Sequence, residues 1–211
     1  MNRGELMKIV EFARGKGEIP DLEGADLRGS FLVEANLQDV NLQGANLAGA
    51  NILNANLTDA NLTGANLTDA NLAHAKLWRA NLQTANLQDT NLSCADLVDT
   101  DLSYANLKNA DLWDTSLNYA KWNGLRIDCL PSNQLTLVPT PEGWDLRVNI
   151  WRGTPDQLRE LMAKDGEWTE ADMGGEITRC RPYLEAALAL CDVHMNDHAD
   201  YIDELKEKWG D

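Results

Sequence analysis

The stretch ANLTDANLTGANLTDANL, residues 55–72, repeats nearly the same five residues without interruption. The same period extends in both directions, and an apolar residue occupies every fifth position through twenty consecutive units. The residue two places before each centre is mostly Ala, and the residue directly before the centre is mostly Asn or Asp. The twenty centres are Leu22, Leu27, Leu32, Leu37, Leu42, Leu47, Ile52, Leu57, Leu62, Leu67, Leu72, Leu77, Leu82, Leu87, Leu92, Leu97, Leu102, Leu107, Leu112 and Leu117.

A period of five residues fits neither of the regular secondary structures. In an α-helix, a step of five rotates the side chain by about 140°, so the leucines would not form a face. In a straight strand, an odd period sends successive leucines to opposite faces. The pattern therefore indicates a chain that bends by a fixed angle in every unit, so that all the leucines point to the axis of a solenoid.

Tandem A(N/D)LXX units over residues 20–122 resemble the pentapeptide repeat proteins. The resemblance implies a mainly β solenoid, which is a right-handed quadrilateral parallel β-helix with four units in each turn. Twenty units would then form about five coils, stacked at a strand spacing of about 4.8 Å. In such a stack we expect the Leu and Ala positions to fill the interior and the two variable residues of each unit to face outward.

The Asn that precedes each Leu is expected to have a structural role in the bends of the chain. Its short polar side chain can hydrogen-bond nearby backbone groups, and Asn tolerates unusual dihedral angles. The Ala position is expected to be narrow, because a large side chain there would overpack the interior at a cost of about 1–3 kcal/mol.

Both ends of an open stack expose backbone edges and apolar core, so solenoids need caps. Residues 1–19 are predicted to form an N-terminal helical cap, with a short helix from Glu5 to about Arg14 that ends before Pro20. The apolar residues of this helix that are expected to cover the first coil are Leu6, Ile9, Val10 and Phe12.

The C-terminal region, residues 123–211, has no repeats and is predicted to be an α/β tail. Trp144, Leu146 and Val148 alternate with polar residues after a PTPEG turn signal, which indicates a β-hairpin at about 134–151. Three helices are predicted, at about 155–165, 181–194 and 197–209.

The net charge of the 211-residue chain is −16. This acidity argues against direct binding to nucleic-acid phosphates or to an anionic membrane surface, since both need a basic face. No segment is long enough to span a bilayer, and the N-terminus lacks the apolar stretch of a signal peptide, so we expect a cytoplasmic protein. The four cysteines show no metal-binding spacing and are expected to be free thiols. They are Cys94, Cys129, Cys180 and Cys191.

No nucleotide-binding, metalloprotease or serine-hydrolase motif occurs, so we expect no catalytic residues and no cofactor. Cys191, His194 and His198 would share one face of a helix that continues through all three, and they could then ligate a metal ion. If the helix breaks near residue 196, the histidines are surface residues instead.

His74 and Cys94 form a second group that carries reactive side chains. Because they are twenty residues apart, they would lie on adjacent coils, with Cα atoms about 5 Å apart. A Cys–His pair can act as a nucleophile. The alternative is two unrelated surface residues at outward positions, which we favour because no pocket is implied.

The outward positions place several apolar side chains on two adjacent walls of the solenoid. We call this set the apolar strip, and it consists of Val33, Leu53, Trp78, Val98 and Trp113. A contiguous apolar strip with two Trp residues usually contacts something. We expect the C-terminal tail to fold back on the apolar strip, which would leave the polar walls for any partner. The alternative is that an external protein partner contacts the strip. The helical residues of the tail proposed for this contact are Leu184, Leu188, Ile202, Leu205 and Trp209.

A stiff, regular solenoid is typical of a non-enzymatic scaffold for protein interactions. We expect the protein to be a monomer. The alternative is a DNA mimic, because some pentapeptide repeat proteins resemble a DNA duplex in shape and charge and inhibit DNA gyrase. The outward column of Asp39, Asp59 and Asp99 is interrupted by Arg79, which argues against mimicry. A third hypothesis, an enzyme with its catalytic domain in the tail, has no motif to support it.

Overall fold

The computed structural model describes residues 3–130, 133–148, 151–163 and 174–210. Its internal contacts divide the chain into a repeat unit, Met1–Trp122, and a C-terminal unit, Asn123–Asp211. The two units are described separately below.

Seventeen parallel β-bridges join the repeats, and each bridge pairs a residue with the one twenty positions later in the chain. The bridges form four rows, which start at Asp21, Asp26, Phe31 and Asn36. Four five-residue units therefore separate each residue from the residue stacked on it. Backbone groups also pair across this step, as where the Leu62 N–H donates to the Asn81 carbonyl at 2.7 Å. The repeats thus satisfy their backbone hydrogen bonds by stacking on one another.

Each repeat contains a four-residue turn that runs from its central Leu to the small residue of the next unit. The N–H of the small residue donates to the Leu carbonyl, as from Ala65 to Leu62 at 3.0 Å. The third residue of the turn has a positive φ in all twenty units, although only five of these residues are Gly. A positive φ at this position is typical of a type II turn. The unusual dihedral angles therefore lie two residues after the Leu and not at the Asn that precedes it.

The Asn before each Leu stabilises the turn through its side chain. In most units its Oδ1 accepts a hydrogen bond from the backbone N–H two residues later, as between Asn81 and the Gln83 N–H at 3.0 Å. Some of these side chains also bond between stacked repeats, as where Asn61 Nδ2 donates to Asn41 Oδ1 at 3.1 Å. The prediction that Asn satisfies backbone groups of the turn is confirmed.

All twenty central residues are buried, as predicted. Most of the small positions are also buried. Where Thr replaces Ala, its hydroxyl donates to a backbone carbonyl 23 residues earlier in the chain. These bonds join Thr90 to Leu67 at 2.7 Å, Thr100 to Leu77 at 2.8 Å and Thr115 to Leu92 at 3.2 Å. Ser30 is different, because its buried Oγ has no hydrogen-bond partner.

Ser30→Ala is expected to stabilise the protein by about 1 kcal/mol, because it removes a buried hydroxyl that forms no hydrogen bond. Thr100→Val is expected to destabilise it by about 1 kcal/mol, because it removes the bond to the Leu77 carbonyl. Equilibrium unfolding in urea measures both changes, and Thr100→Ser, which keeps the hydroxyl, is the control. A loss of stability in Ser30→Ala would show that this hydroxyl has a stabilising partner.

The N-terminal helix α1, Arg3–Gly15, buries one narrow face. Leu6 and Val10 lie one helical turn apart and are both buried. Ile9 is 39% exposed and Phe12 is 65% exposed, so the prediction that these two cover the first coil is wrong. The helical period of 3.6 residues turns positions 9 and 12 away from the face that carries positions 6 and 10.

The C-terminal unit contains a four-stranded antiparallel sheet with the strand order β1–β2–β3–β4. The strands are β1 (Leu125–Leu130), β2 (Asn133–Thr140), β3 (Gly143–Val148) and β4 (Trp151–Gly153). The predicted hairpin corresponds to β2 and β3, which pair from Leu135 opposite Val148 to Thr140 opposite Gly143. The prediction missed β1 and β4, because short strands depend on their neighbours in the sheet more than on their own composition.

Three helices complete the unit. They are α2 (Pro155–Ala163), α3 (Gly174–Asp197) and α4 (Ala199–Trp209). Helix α3 is much longer than the predicted range of 181–194, because it starts at two glycines, which are more typical of a loop. The last two residues predicted for the first helix, 164 and 165, lie outside the described residues.

The sheet packs with helices α2 and α3 around a shared core. Helix α4 adds a smaller cluster, and Trp144 packs against both groups. Leu184 and Leu188 belong to the first cluster, and Ile202 and Leu205 belong to the second. These four residues are thus buried in clusters of the C-terminal unit, and their expected contact with the apolar strip stays a prediction.

Candidate interaction surface

The apolar strip lies at the first outward position after each central Leu. Trp78 is 41% exposed and Trp113 is 61% exposed. Val33, Leu53 and Val98 are partly buried. Trp113 follows the same row of bridges as Val33 and Leu53, and Trp78 follows the next row with Val98. The regular turns thus hold large apolar side chains at fixed positions on the repeat unit.

Trp78 forms an ordered cluster with two charged residues. The Arg79 guanidinium lies over the Trp78 ring, 4.2 Å from the ring centroid. Its Nε and Nη2 donate to the two carboxylate oxygens of Asp59 at 2.7 and 2.6 Å. Asp59 is one bridge step before Arg79, so the twenty-residue stacking brings the two charges together. The position of Arg79 within an acidic column was evident from the sequence, but its ion pair and its contact with the ring were not predicted.

The ion pair also fixes the charge of the cluster. Hydrogen bonds from Arg79 hold the pKa of the Asp59 carboxyl below its usual range. The carboxylate therefore stays ionised at neutral pH, and its contribution to the cluster is lost only as the pH falls through this lowered pKa. A bidentate guanidinium that stacks on an indole ring restricts both side chains to one arrangement.

His74 and Cys94 lie on adjacent turns, where the His74 N–H donates to the Ser93 carbonyl at 2.9 Å. Both residues have the positive φ of the third turn position, at 56° and 57°. His74 is exposed and Cys94 is partly buried. The stacking thus places the two residues as expected, at the surface of the repeats, and a nucleophilic pair stays a hypothesis.

The three metal-ligand candidates do not form one ligand set. Cys191 is fully buried in the core of the C-terminal unit. His194 Nε2 lies 2.9 Å from the Asn123 carbonyl oxygen, and His198 Nδ1 lies 2.9 Å from the His194 carbonyl oxygen. Helix α3 ends before His198, and the two imidazole rings stack with centroids 4.3 Å apart. Within the described ranges, no group of three or more His, Cys, Asp or Glu residues could hold a metal ion.

The two cysteines whose side chains are described are expected to differ sharply in reactivity. Burial raises the pKa of the Cys191 thiol to about 11, so at pH 8 this residue is both protonated and inaccessible. In a variant with Ser at positions 129 and 180, a thiol reagent at pH 8 is expected to modify Cys94 quickly. Cys191 is expected to react only after denaturant is added. Fast reaction of both thiols in the folded protein would contradict the buried position of Cys191.

In the part of the chain that the structure describes, no helix combines the length and apolar character needed to cross a lipid bilayer.

The pentapeptide repeats family model matches the chain in eight copies, over residues 21–52, 41–79, 65–103 and 95–124. No curated protein matches the chain. Solved structures of pentapeptide repeat proteins do match. One, from the thylakoid lumen of Arabidopsis thaliana, is 36% identical over 46% of this chain and 68% of that protein, with a TM-score of 0.46.

Two cyanobacterial proteins match as well. HetL from Nostoc, involved in heterocyst differentiation regulation, is 30% identical over 50% of this chain and 63% of its own, with a TM-score of 0.28. Rfr23 from Cyanothece is 27% identical over 56% of this chain and 93% of its own, with a TM-score of 0.36. The eight repeat matches and the 36% identity to a solved member show that this chain belongs to the pentapeptide repeat family.

Proposed function

We propose that this protein is a non-enzymatic interaction scaffold that binds a protein partner through the apolar strip. In this proposal the repeats close into a right-handed, four-sided β-helix of about five coils. The twenty-residue step of the bridges supports four units in each coil. Such a solenoid is stiff, because every repeat contacts the repeats stacked on either side of it.

The cluster of Trp78, Arg79 and Asp59 is the observation that carries the proposal. Trp and Arg are the side chains that contribute most often to the energetic centres of protein interfaces. Here the guanidinium stacks on an exposed ring and is held by a carboxylate at 2.6–2.7 Å. Because these side chains are already ordered, a partner that binds them loses less conformational entropy than one that binds mobile side chains.

The experiment compares photo-crosslinking from two positions in the full chain, expressed in its native host. A photoreactive residue replaces Val98, which lies one bridge step after Trp78, or Thr68, which lies on a polar row. We expect a crosslink to one protein from position 98 and none from position 68. Adding Trp78→Ala is expected to reduce the yield at position 98 about tenfold, since a central aromatic residue commonly contributes more than 1.4 kcal/mol.

Two outcomes would contradict the proposal. Equal crosslinking from both positions would show that the apolar strip does not select the partner. A crosslink from position 98 to the C-terminal unit of the same chain would show that the tail covers the strip, as we predicted from the sequence. The position of the tail and the cytoplasmic location both stay predictions, and fractionation of the host cells would test the location.

The alternative function, DNA mimicry, is supported by the net charge of −16. The charge pattern supports it less, because a mimic needs carboxylates where DNA has phosphates, and Arg79 pairs with Asp59 in the middle of the acidic column. A gyrase supercoiling assay with excess protein separates the two functions. We expect no inhibition, and inhibition that is lost when Asp39 and Asp99 are changed to Asn would favour the mimic.

A further inference from the structure

The dipeptide Asn123–Gly124 lies where the chain passes from the repeat unit to the C-terminal unit. Asn123 is the only Asn in the 211-residue sequence that is followed by Gly. Neither residue belongs to a helix or a strand, and β1 begins at the next residue. Both residues are partly buried. The single Asn–Gly pair of this chain therefore lies at the boundary of its two units.

An Asn–Gly pair contains both groups that are needed for an intramolecular reaction. The backbone nitrogen of the second residue can attack the side-chain carbonyl carbon of the first residue, which closes a succinimide ring and releases ammonia. Glycine favours this ring closure, because it has no Cβ to crowd the attacking nitrogen and its backbone adopts a wide range of dihedral angles. In the repeats most Asn residues precede Leu instead, and its branched side chain crowds the same nitrogen.

The Asn residues of the repeats are also protected by their hydrogen bonds, as Asn81 shows. Its side-chain oxygen accepts a hydrogen bond from the Gln83 N–H at 3.0 Å. The Leu82 N–H, whose nitrogen would have to attack Asn81, donates to the Asp101 carbonyl at 2.8 Å. The reacting side chain and the attacking nitrogen are thus both restrained by the stacked repeats. Asn123 lies beyond the last β-bridge of the repeats, which ends at Lys121.

The backbone carbonyl oxygen of Asn123 has a fixed hydrogen-bond donor. His194 Nε2 lies 2.9 Å from this oxygen. Because a carbonyl oxygen can only accept, Nε2 carries the proton and donates it to the bond. Two aromatic neighbours restrain the His194 ring. It stacks on the His198 ring with centroids 4.3 Å apart, and it meets the Trp144 ring edge-on with centroids 5.6 Å apart.

This hydrogen bond favours the reactive form of the Gly124 nitrogen. The nitrogen attacks after it has lost its proton, and peptide resonance then shares the negative charge with the Asn123 carbonyl oxygen. A preorganised donor at an oxygen that gains negative charge stabilises that charge. The Gly124 nitrogen then bonds to Asn123 Cγ, and the bond from Cγ to Nδ2 breaks. Nδ2 leaves as ammonia with one proton from water, which replaces the proton that the Gly124 nitrogen lost.

We propose that Asn123–Gly124 is a self-modification site and that His194 promotes its conversion to a succinimide. Water then opens the ring, either at the side-chain carbonyl to give aspartate or at the main-chain carbonyl to give isoaspartate. Either product adds one negative charge at the boundary of the two units. Isoaspartate also adds a methylene group to the main chain directly before β1. This inference is independent of the partner that the repeats bind.

The test is mass spectrometry of the full chain after incubation at neutral pH. Brief trypsin digestion releases residues 122–126, in which loss of ammonia followed by gain of water marks the modification. We expect this peptide to convert while the peptide that contains Asn81 stays unmodified. His194→Phe, which keeps an aromatic ring but has no donor, is expected to slow the conversion at least about tenfold. His198→Phe leaves the donor of His194 in place, so it is the matched control and is expected to keep the parent rate.

Two further measurements separate the hydrogen bond from other effects of these substitutions. In urea His194 no longer lies beside Asn123, so the parent and both variants are expected to convert at one rate. His194→Gln keeps an N–H donor, and in the folded protein it is expected to convert faster than His194→Phe. An unmodified Asn123 in the folded parent, equal slowing by His198→Phe, or no recovery in His194→Gln would overturn the proposal.

Discussion

Leu67→Asp is expected to abolish the cooperative unfolding transition of the repeats. Leu67 is 0% exposed, and the residues one bridge step before and after it, Leu47 and Leu87, are also fully or almost fully buried. A carboxylate at this position would lose its hydration and find no cationic partner. A buried charge without a partner costs about 3–5 kcal/mol. This is a large part of a typical free energy of unfolding, which is about 5–15 kcal/mol. Circular dichroism during thermal unfolding measures the effect.

The adjacent residue provides the control for this substitution. Thr68 is the first outward position of the same repeat, so Thr68→Asp adds the same charge at the surface. It is expected to change the free energy of unfolding by no more than about 0.5 kcal/mol. A cooperative melt of Leu67→Asp at the parent temperature would show that the leucines do not form the interior.

Deletion of a single residue, Gln83, is expected to be as damaging as a charge in the core. The turn from Leu82 to Ala85 would lose one residue. Every later residue would also shift by one position against the repeats it stacks on, so that Gln88 would take the buried position of Leu87. Because the stacked backbone bonds and the buried side chains depend on the same register, both would be disrupted. We expect the cooperative transition to be lost.

Deletion of twenty residues, 62–81, is expected to be tolerated much better. It removes one complete bridge step, so Asn61 would be followed by Leu82, and Asn86 would take the place of Asn66 opposite Asn46. Every remaining repeat keeps its register. Urea unfolding of the shortened chain should still show one cooperative transition for the repeats. If this deletion destabilises the repeats as much as removal of Gln83, stacking does not follow the twenty-residue step.

Most of the repeat unit could be predicted from the sequence, because its contacts repeat with the sequence. The central Leu and the Ala two residues before it are buried in unit after unit. The same local pattern meets the same neighbour at every step, so the structure of one unit holds for all twenty. The positive φ of the third turn residue was missed, although thirteen of the twenty residues at this position are Gly, Asp or Asn, the types that adopt it most readily.

The candidate interaction surface could be predicted only in part. Counting in steps of twenty placed Trp78 beside Val98 and Arg79 beside Asp59. It did not predict that the guanidinium would both stack on the ring and form two bonds to the carboxylate. Those contacts depend on side-chain rotamers, and the spacing of residues along the chain does not determine them.

The repeat pattern alone was enough to predict the stacking of residues 21–121 and the identity of the buried positions. It was enough because a period of five leaves one arrangement in which all the leucines can be buried together. Which residues of the C-terminal unit are buried could not be predicted in this way and depends on how its elements pack together. Leu184 and Leu205 are core residues there, Tyr183 and Leu190 are exposed, and Cys191 is separated from the two histidines. The amphipathic pattern of a helix shows that an apolar side exists, but the elements that pack on it decide which residues it buries.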